Sequence, residues 1–595
     1  MRQFFKYVLA TVTGLVLFSA LGFVLLLVLV AAAKSVGATD KEVASNSVLE
    51  LRLDKPITER QEANDFGPLG GGDASIGLLN LRQAIAEAKK DDAIKGIFLR
   101  LESVQGGLAS LTEVRDALLD FKKSGKFIVS YSETESEKSY FLASVADQIY
   151  LHPQGRVEFN GLSAESPFFK GLLDKSGIEV QVFRVGSFKS AVEPFIRTSF
   201  SDSARAQEVS YLNSINDDML QRVAASRKIA VPRLHTISDS MLVHNAPDAL
   251  RLGLVTKLGY YDEALDYLRG KLGTPKDKKP SLVSLSDYHE GGTPSQRSGS
   301  TSGGNRIAVI YAEGDIVDGN GSNSSIGGDK FAEAIRKARL DDKVKAVVLR
   351  VNSPGGSSLA SDVMYREVLL TSKVKPIIAS MGDVAASGGY YISMACDTIV
   401  AQPTTITGSI GVFGLLPNIQ QLLADKLGIT MDGVKTGKFS DFPTITRPLT
   451  AYEKQQFQAE INDIYADFTS KAALGRHMPV ERLRRLASGR VWSGSEAKAR
   501  GLVDVLGSYA DAVQLAARAA HLQEGDYSIQ RLPRQKTSWE RLLSRFGGDE
   551  DEQAAAEARL IQSKLGPLYP VYRQYQLLLQ MKGVQARLPY ELELK

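Results

Sequence analysis

The sequence predicts an α/β protein: two tandem copies of one module, each with helices covering a mostly parallel sheet, behind an amino-terminal membrane helix. Three observations carry that prediction. The chain repeats itself at an offset of 250 residues, β-branched runs alternate with helical spacing inside each copy, and an uncharged apolar run of 26 residues lies near the start. At roughly 100 to 200 residues per domain, a chain of 595 residues holds several cores.

The apolar run extends from Val8 to Ala33, with Arg2 and Lys6 before it and Lys34 after it. As a helix it is about 39 Å long, enough for the roughly 30 Å hydrocarbon core of a bilayer. A cleavable secretory signal, cut at Ala31 to Ala33, is the competing reading. Its apolar region is normally about 7 to 15 residues, so the length favours a retained anchor over residues 1–34. Arg2, Lys6 and the terminal amine put the N-terminus in the cytoplasm. The bulk of the chain is then expected in the periplasm, anchored by a single pass in the inner membrane.

The repeat comes next. Asp91-Asp-Ala-Ile-Lys-Gly-Ile-Phe-Leu-Arg-Leu-Glu-Ser103 lies over Asp341-Asp-Lys-Val-Lys-Ala-Val-Val-Leu-Arg-Val-Asn-Ser353, identical at six of 13 positions. Asp147 pairs with Asp397 and Pro153 with Pro403 in the same register. The modules are read as 48–290 and 306–523, joined by a Gly/Ser/Thr-rich flexible linker over 291–305. Residues 524–595 have no evident counterpart in the first half and read as a helical tail. Within the second module, Val344 to Val351 is a β-branched strand broken by Ser-Pro-Gly-Gly. Helical spacing runs from Leu359 to Leu370, and further strands are expected over Lys375 to Met381 and Thr398 to Ala401.

Composition excludes some functions. With 72 basic and 68 acidic residues the net charge is +4, without the basic excess that nucleic-acid binding needs. The single cysteine, Cys396, rules out an intrachain disulfide or a thiolate cage, and the six histidines show no ligand spacing. No metal or other cofactor is expected.

Chemistry concentrates in a few segments. In Met381-Gly-Asp-Val-Ala-Ala-Ser-Gly-Gly-Tyr390, Ser387 sits at a strand-to-helix turn among residues small enough for a substrate backbone to approach, and a helix start there aims N–H groups at developing negative charge. A close-packed Ala/Gly helix start explains the same residues equally well. Asn352-Ser-Pro-Gly-Gly356 ends the preceding strand, so Gly355 and Gly356 present N–H groups at the carboxyl edge of the same sheet, or form a plain turn. No histidine motif supplies a base. The candidate is Lys189, in Arg184-Val-Gly-Ser-Phe-Lys-Ser-Ala-Val-Glu-Pro194 of the other module, which on its own reads as a surface lysine. Bringing a lysine from about 10.4 to about 7 or 8 corresponds to roughly 4 kcal/mol, within the range that burial produces.

Taken together, Ser380 to Tyr391, Val351 to Gly356, Thr407 to Gly411 and Val185 to Phe195 resemble the signal peptide peptidase A family, also called protease IV, in its long, duplicated, membrane-anchored form. The resemblance covers about Val48 to Ala520. It implies tandem ClpP/crotonase-like modules, a Ser–Lys dyad, and degradation of signal-peptide remnants and other apolar peptides at the outer face of the inner membrane. By position, Ser387 resembles the nucleophile and Lys189 the general base. The N–H groups of Gly355 and Gly388 would form the oxyanion hole, and Ser409 would orient the lysine. A homotetramer is expected, with peptides and the membrane as partners and no nucleic acid. Two alternatives are a crotonase-type enzyme acting on acyl thioesters and a non-catalytic membrane scaffold; the first needs neither an anchor nor a tuned lysine, and the second no retained Ser387 and Lys189.

The repeat sharpens the reading. Ser387 falls on Glu137 of the first module, and at an offset of 251 Lys189 falls on Ser440 of the second. Neither module carries both groups, so one shared site per pair of modules is expected.

Overall fold

The computed structural model describes residues 2–37, 43–61, 75–290, 304–322, 325–534 and 584–588, with isolated positions between 561 and 572. The linker expected over 291–305 falls almost wholly outside them. Residues Arg2–Gly37 form one 36-residue helix. The side chains of residues 23–37 are outside the described set, and among the described residues no helix is long and apolar enough to cross a membrane.

Both modules build the same sheet. In the first, the strand order is Lys257–Leu258, Gln148–Val157, Phe127–Glu135, Ile94–Arg100, Ser47–Arg52 and Leu282–Ser284, every pair parallel. The second runs Val505–Leu506, Thr398–Ala401, Ile377–Ala386, Val344–Ser353, Asn305–Glu313 and Tyr527–Leu532, also parallel throughout. A side branch joins Ile406–Gly408 to the upper end of Ile377–Ala386, and antiparallel to Val491–Ser493. Val344–Ser353 is buried on both faces, as expected for a β-branched strand in the middle of a parallel sheet. The helices Gly328–Leu340 and Ser358–Ser372 pack on one face, and Tyr509–Ala519 packs on the other through Ala512, Val513 and Ala516.

The strand order corrects the reading of the tail. Tyr527–Leu532 pairs with Asn305–Glu313 as Leu282–Ser284 pairs with Ser47–Arg52, so the tail begins with a counterpart of the last strand of the first module. Its other described end, Val584–Arg587, is also a strand rather than a helix.

A third sheet crosses between the modules, ordered Ser325–Gly327, Asp315–Val317, Gly355–Ser357, Val584–Arg587, Phe413–Asn418 and Glu179–Arg184. Its antiparallel pair of Phe413–Asn418 with Glu179–Arg184 binds second module to first over six residue pairs. A buried polar cluster ties them again. Arg350 bridges to Glu59 at 2.8 Å and Glu113 at 2.9 Å, and Asp383 accepts hydrogen bonds from the Ser110 amide at 2.8 Å and hydroxyl at 2.6 Å. Charges this deeply buried are retained only when paired.

Candidate active site

Ser387 stands where Ile377–Ala386 ends and the short helix Gly388–Ser393 begins. Its backbone has φ 54° and ψ −108°, a conformation that costs a non-glycine residue on the order of 1–3 kcal/mol and persists only where neighbours impose it. They do so here: the Ser387 amide donates to the Gly408 carbonyl at 2.8 Å, and its carbonyl accepts from the Tyr391 amide at 2.8 Å. The hydroxyl lies fully buried, 3.2 Å from the Gly411 carbonyl oxygen.

Lys189 reaches it from the other module. The third sheet delivers the chain at Arg184, and Gly186 turns it at φ 94° against Ser488. The backbone of Lys189 then rests on Gly489, where a Cβ would come within 2.6 Å of Lys189 Cβ. Lys189 Nζ is 2.8 Å from Ser387 Oγ, 3.1 Å from Ser409 Oγ and 3.3 Å from the Ser409 carbonyl oxygen. Burial alone holds its amine well below the ordinary lysine range, with no carboxylate opposing it. Burial thus favours the neutral form of the amine, the form able to accept a proton. Both contacts form within one chain.

The two glycines of Ser353-Pro-Gly-Gly356 have different tasks. Gly355, at φ 98°, donates its N–H to Ser353 Oγ at 3.1 Å, so that the group expected in the oxyanion hole already has an intramolecular partner. Gly356 is the residue in register with Ala586 on the adjoining strand. Gly388 abuts Gly355 and Ala586: a Cβ on it would meet Ser361 Oγ at 2.7 Å, the Ala586 carbonyl oxygen at 3.0 Å and Gly355 Cα at 3.1 Å. The motif read from the sequence thus lies beside Ser387, through the contact of Gly355 with Gly388. Ser353, whose hydroxyl accepts the Gly355 N–H, was not singled out, because that contact follows from backbone angles that Pro-Gly-Gly does not encode.

Among the described residues, the first module places different groups at the matching positions. Glu137 opens the helix Glu137–Ala143, accepting from the amide of Gly161 at 3.0 Å, and burial pushes its carboxyl up to about 7. Ser440 lies exposed, far from the pattern of Lys189.

A buried hydroxyl beside a buried, depressed-pKa amine, at the carboxyl edge of a parallel sheet and next to glycine N–H groups, is the constellation of a serine hydrolase. The model for peptidase family S49 matches residues 120–273 and 370–523, two spans separated by the same offset as the internal repeat. Protease 4 of Haemophilus influenzae is 35% identical over 526 residues, covering 86% of this chain and 85% of its own. Protease 4 of Salmonella typhi is 37% identical over 506 residues, covering 82% and 80%. The chloroplastic serine protease SPPA of Arabidopsis thaliana is 34% identical over 514 residues, covering 85% and 74%. The chain belongs to peptidase family S49 and is a serine peptidase.

Proposed function

We propose that this chain is a membrane-anchored serine endopeptidase that degrades cleaved signal peptides and other apolar segments at the outer face of the inner membrane, with Ser387 as nucleophile and Lys189 as general base. One observation carries the reading: the 2.8 Å contact between two fully buried groups drawn from different modules. The neutral amine takes the hydroxyl proton as Ser387 Oγ adds to the scissile carbonyl, then returns it to the leaving amine; water repeats the exchange to release the acyl group. The N–H of Gly388, with a glycine N–H of the Gly355–Gly356 turn, stabilises the oxyanion, each donor contributing typically about 2.7 to 4 kcal/mol. Ser409, 3.1 Å from the amine, orients it.

The rest of the proposal follows from the sequence. The helix Arg2–Gly37 is the anchor, with its basic end in the cytoplasm and the modules 48–290 and 306–523, each ClpP/crotonase-like, outside. The working unit is a homotetramer. Peptides enter extended and pair with sheet edges. The test is hydrolysis of a synthetic signal peptide by wild type, Ser387→Ala and Lys189→Ala. Both variants should fall to background; full activity in either removes the dyad.

A further inference from the structure

The first module's helix Asp202–Arg227 lies against the second module along a polar face. Gln207, Ser210 and Ser214 follow the i, i+3, i+7 spacing that places side chains on one side of a helix. Ser210 donates its hydroxyl to Glu496, Ser214 and Ser493 share a hydrogen bond at 2.7 Å, and the Val491 amide donates to Gln207 Oε1 at 3.2 Å. All three partners belong to the strand Val491–Ser493 or to the helix Gly494–Arg500 that follows it. Of the three helix residues, Gln207 is the one fully buried.

The carboxamide of Gln207 has a second set of partners, and these lead to the dyad. Nε2 donates to Ser190 Oγ at 3.0 Å and lies 3.5 Å from the Phe188 carbonyl oxygen, so it addresses the residues on either side of Lys189. On the acceptor side, Val491 is in register with Gly408, whose carbonyl holds the Ser387 amide at 2.8 Å. The carbonyl of Arg490, one residue earlier, accepts from the Ser409 amide at 2.7 Å, and Ser409 Oγ stands 3.1 Å from the Lys189 amine. One side chain therefore joins the backbone that carries Lys189 to the backbone that carries Ser387. The place calls for a carboxamide: the Val491 N–H can only donate and the Phe188 carbonyl can only accept, and this neutral group offers an acceptor at one end and a donor at the other.

We propose that Gln207 is a positioning residue for the peptidase reaction, whose carboxamide sets the separation and direction of the Lys189 amine relative to the Ser387 hydroxyl. This rests on the dyad proposed above. Lysine has a long, flexible stem, and a misplacement of about 1 Å at a reacting group costs on the order of 10²-fold in rate. Three charged groups flank the same loop. Arg184 donates to the Lys189 carbonyl at 3.1 Å and pairs with Glu193 at 3.7 Å, while Arg490 stacks on the Phe188 ring at 4.9 Å. They hold the backbone, but burial alone tunes the amine. A loosened loop therefore changes both the reach of the amine and its access to water.

The test compares full-length, detergent-solubilised wild type, Gln207→Met, Ser190→Ala and the double variant on a synthetic signal peptide across pH. Methionine is unbranched like glutamine and offers neither the N–H nor the carbonyl. In Gln207→Met, kcat should fall about 10- to 100-fold with KM within about twofold. The rising limb of its kcat/KM profile should also move up by about one pH unit, because a better hydrated amine recovers part of the ordinary lysine range. Ser190→Ala removes one link and should lose less, and the double variant should be no slower than Gln207→Met. A kcat within twofold of wild type in Gln207→Met, a lower kcat with the limb unmoved, or additive losses in the double variant each overturn the inference while leaving the dyad intact. If Gln207→Met does not fold, Ser190→Ala decides: an unmoved limb there overturns the inference, and an upward shift supports it. Full activity in Lys189→Ala overturns the dyad reading and this inference with it.

Discussion

Lys189 is shifted by burial alone, and this makes its protonation a direct readout of its environment. Activity should be lost below its folded-state pKa and rise as pH increases through it, since only the neutral amine accepts the Ser387 proton. A kcat/KM profile flat from about pH 5 to 10 would exclude a lysine base tuned in this way. The first module carries a different pH signature. Burial pushes Glu135 and Glu137 up to about 7 from an ordinary value of 4.5. Their protonated forms favour the folded state, so this contribution to stability is fully present below about pH 4.5 and is lost as pH rises through about 7. Each shift corresponds to on the order of 3 kcal/mol. Chemical denaturation at pH 5 and pH 8 should show a stability difference that shrinks in Glu135→Gln; an unchanged difference would mean that water reaches that carboxyl in the folded protein. At this scale Ser387 and Lys189, which the structure brings to 2.8 Å of each other, were singled out by the resemblance of their motifs, since Lys189 on its own reads as a surface lysine. Which of Gly355 and Gly356 has its N–H held by Ser353 was not legible, because nothing distinguishes the two until the backbone is known.

At the scale of elements, the second module's strands and helices follow its β-branched runs and its helical spacing, and the departures have tertiary causes. The strand read as ending at Met381 continues to Ala386, through a Gly-Asp pair that reads as a turn. Asp383 stays in the strand because Ser110 of the other module satisfies its carboxylate. Likewise Val-Gln-Ala-Arg at 584–587 has too little periodicity to announce a strand, and its two partners lie far away in sequence. The turn at Gly355 is where an element most constrains the chemistry. A Cβ there would overlap the Ala586 carbonyl oxygen and stand 2.7 Å from the Gly388 nitrogen, on a backbone at φ 98°. Gly355→Ala should therefore displace one oxyanion donor and lower kcat by about 10²- to 10³-fold. The Lys189 pH profile should keep its shape. A kcat within twofold of wild type would show that the turn relaxes without moving Gly388.

For the whole molecule, the proposed dyad and the duplication together predict that the modules do not work apart. The first supplies Lys189, the proposed base, but has Glu137 at the position of Ser387; the second supplies Ser387, the proposed nucleophile, but has Ser440 at the position of Lys189. Position alone would not bring the survivors together. The crossing sheet does, by pairing Glu179–Arg184 with Phe413–Asn418 so that the chain leaving Arg184 runs directly into the Ser387 pocket. The Arg350–Glu59–Glu113 cluster fixes the same interface, and separating the modules would leave Arg350 without its two carboxylates, a loss of about 3 to 5 kcal/mol for a broken buried pair. Residues 1–290 and 304–595 produced separately should thus each be inactive on a signal peptide, and co-expression should restore some hydrolysis. Restoration should fail when the first piece carries Lys189→Ala, although the crossing sheet and the Arg350 cluster still assemble. Hydrolysis by the second piece alone would mean that a base other than Lys189 serves Ser387, and the shared site would have to be abandoned.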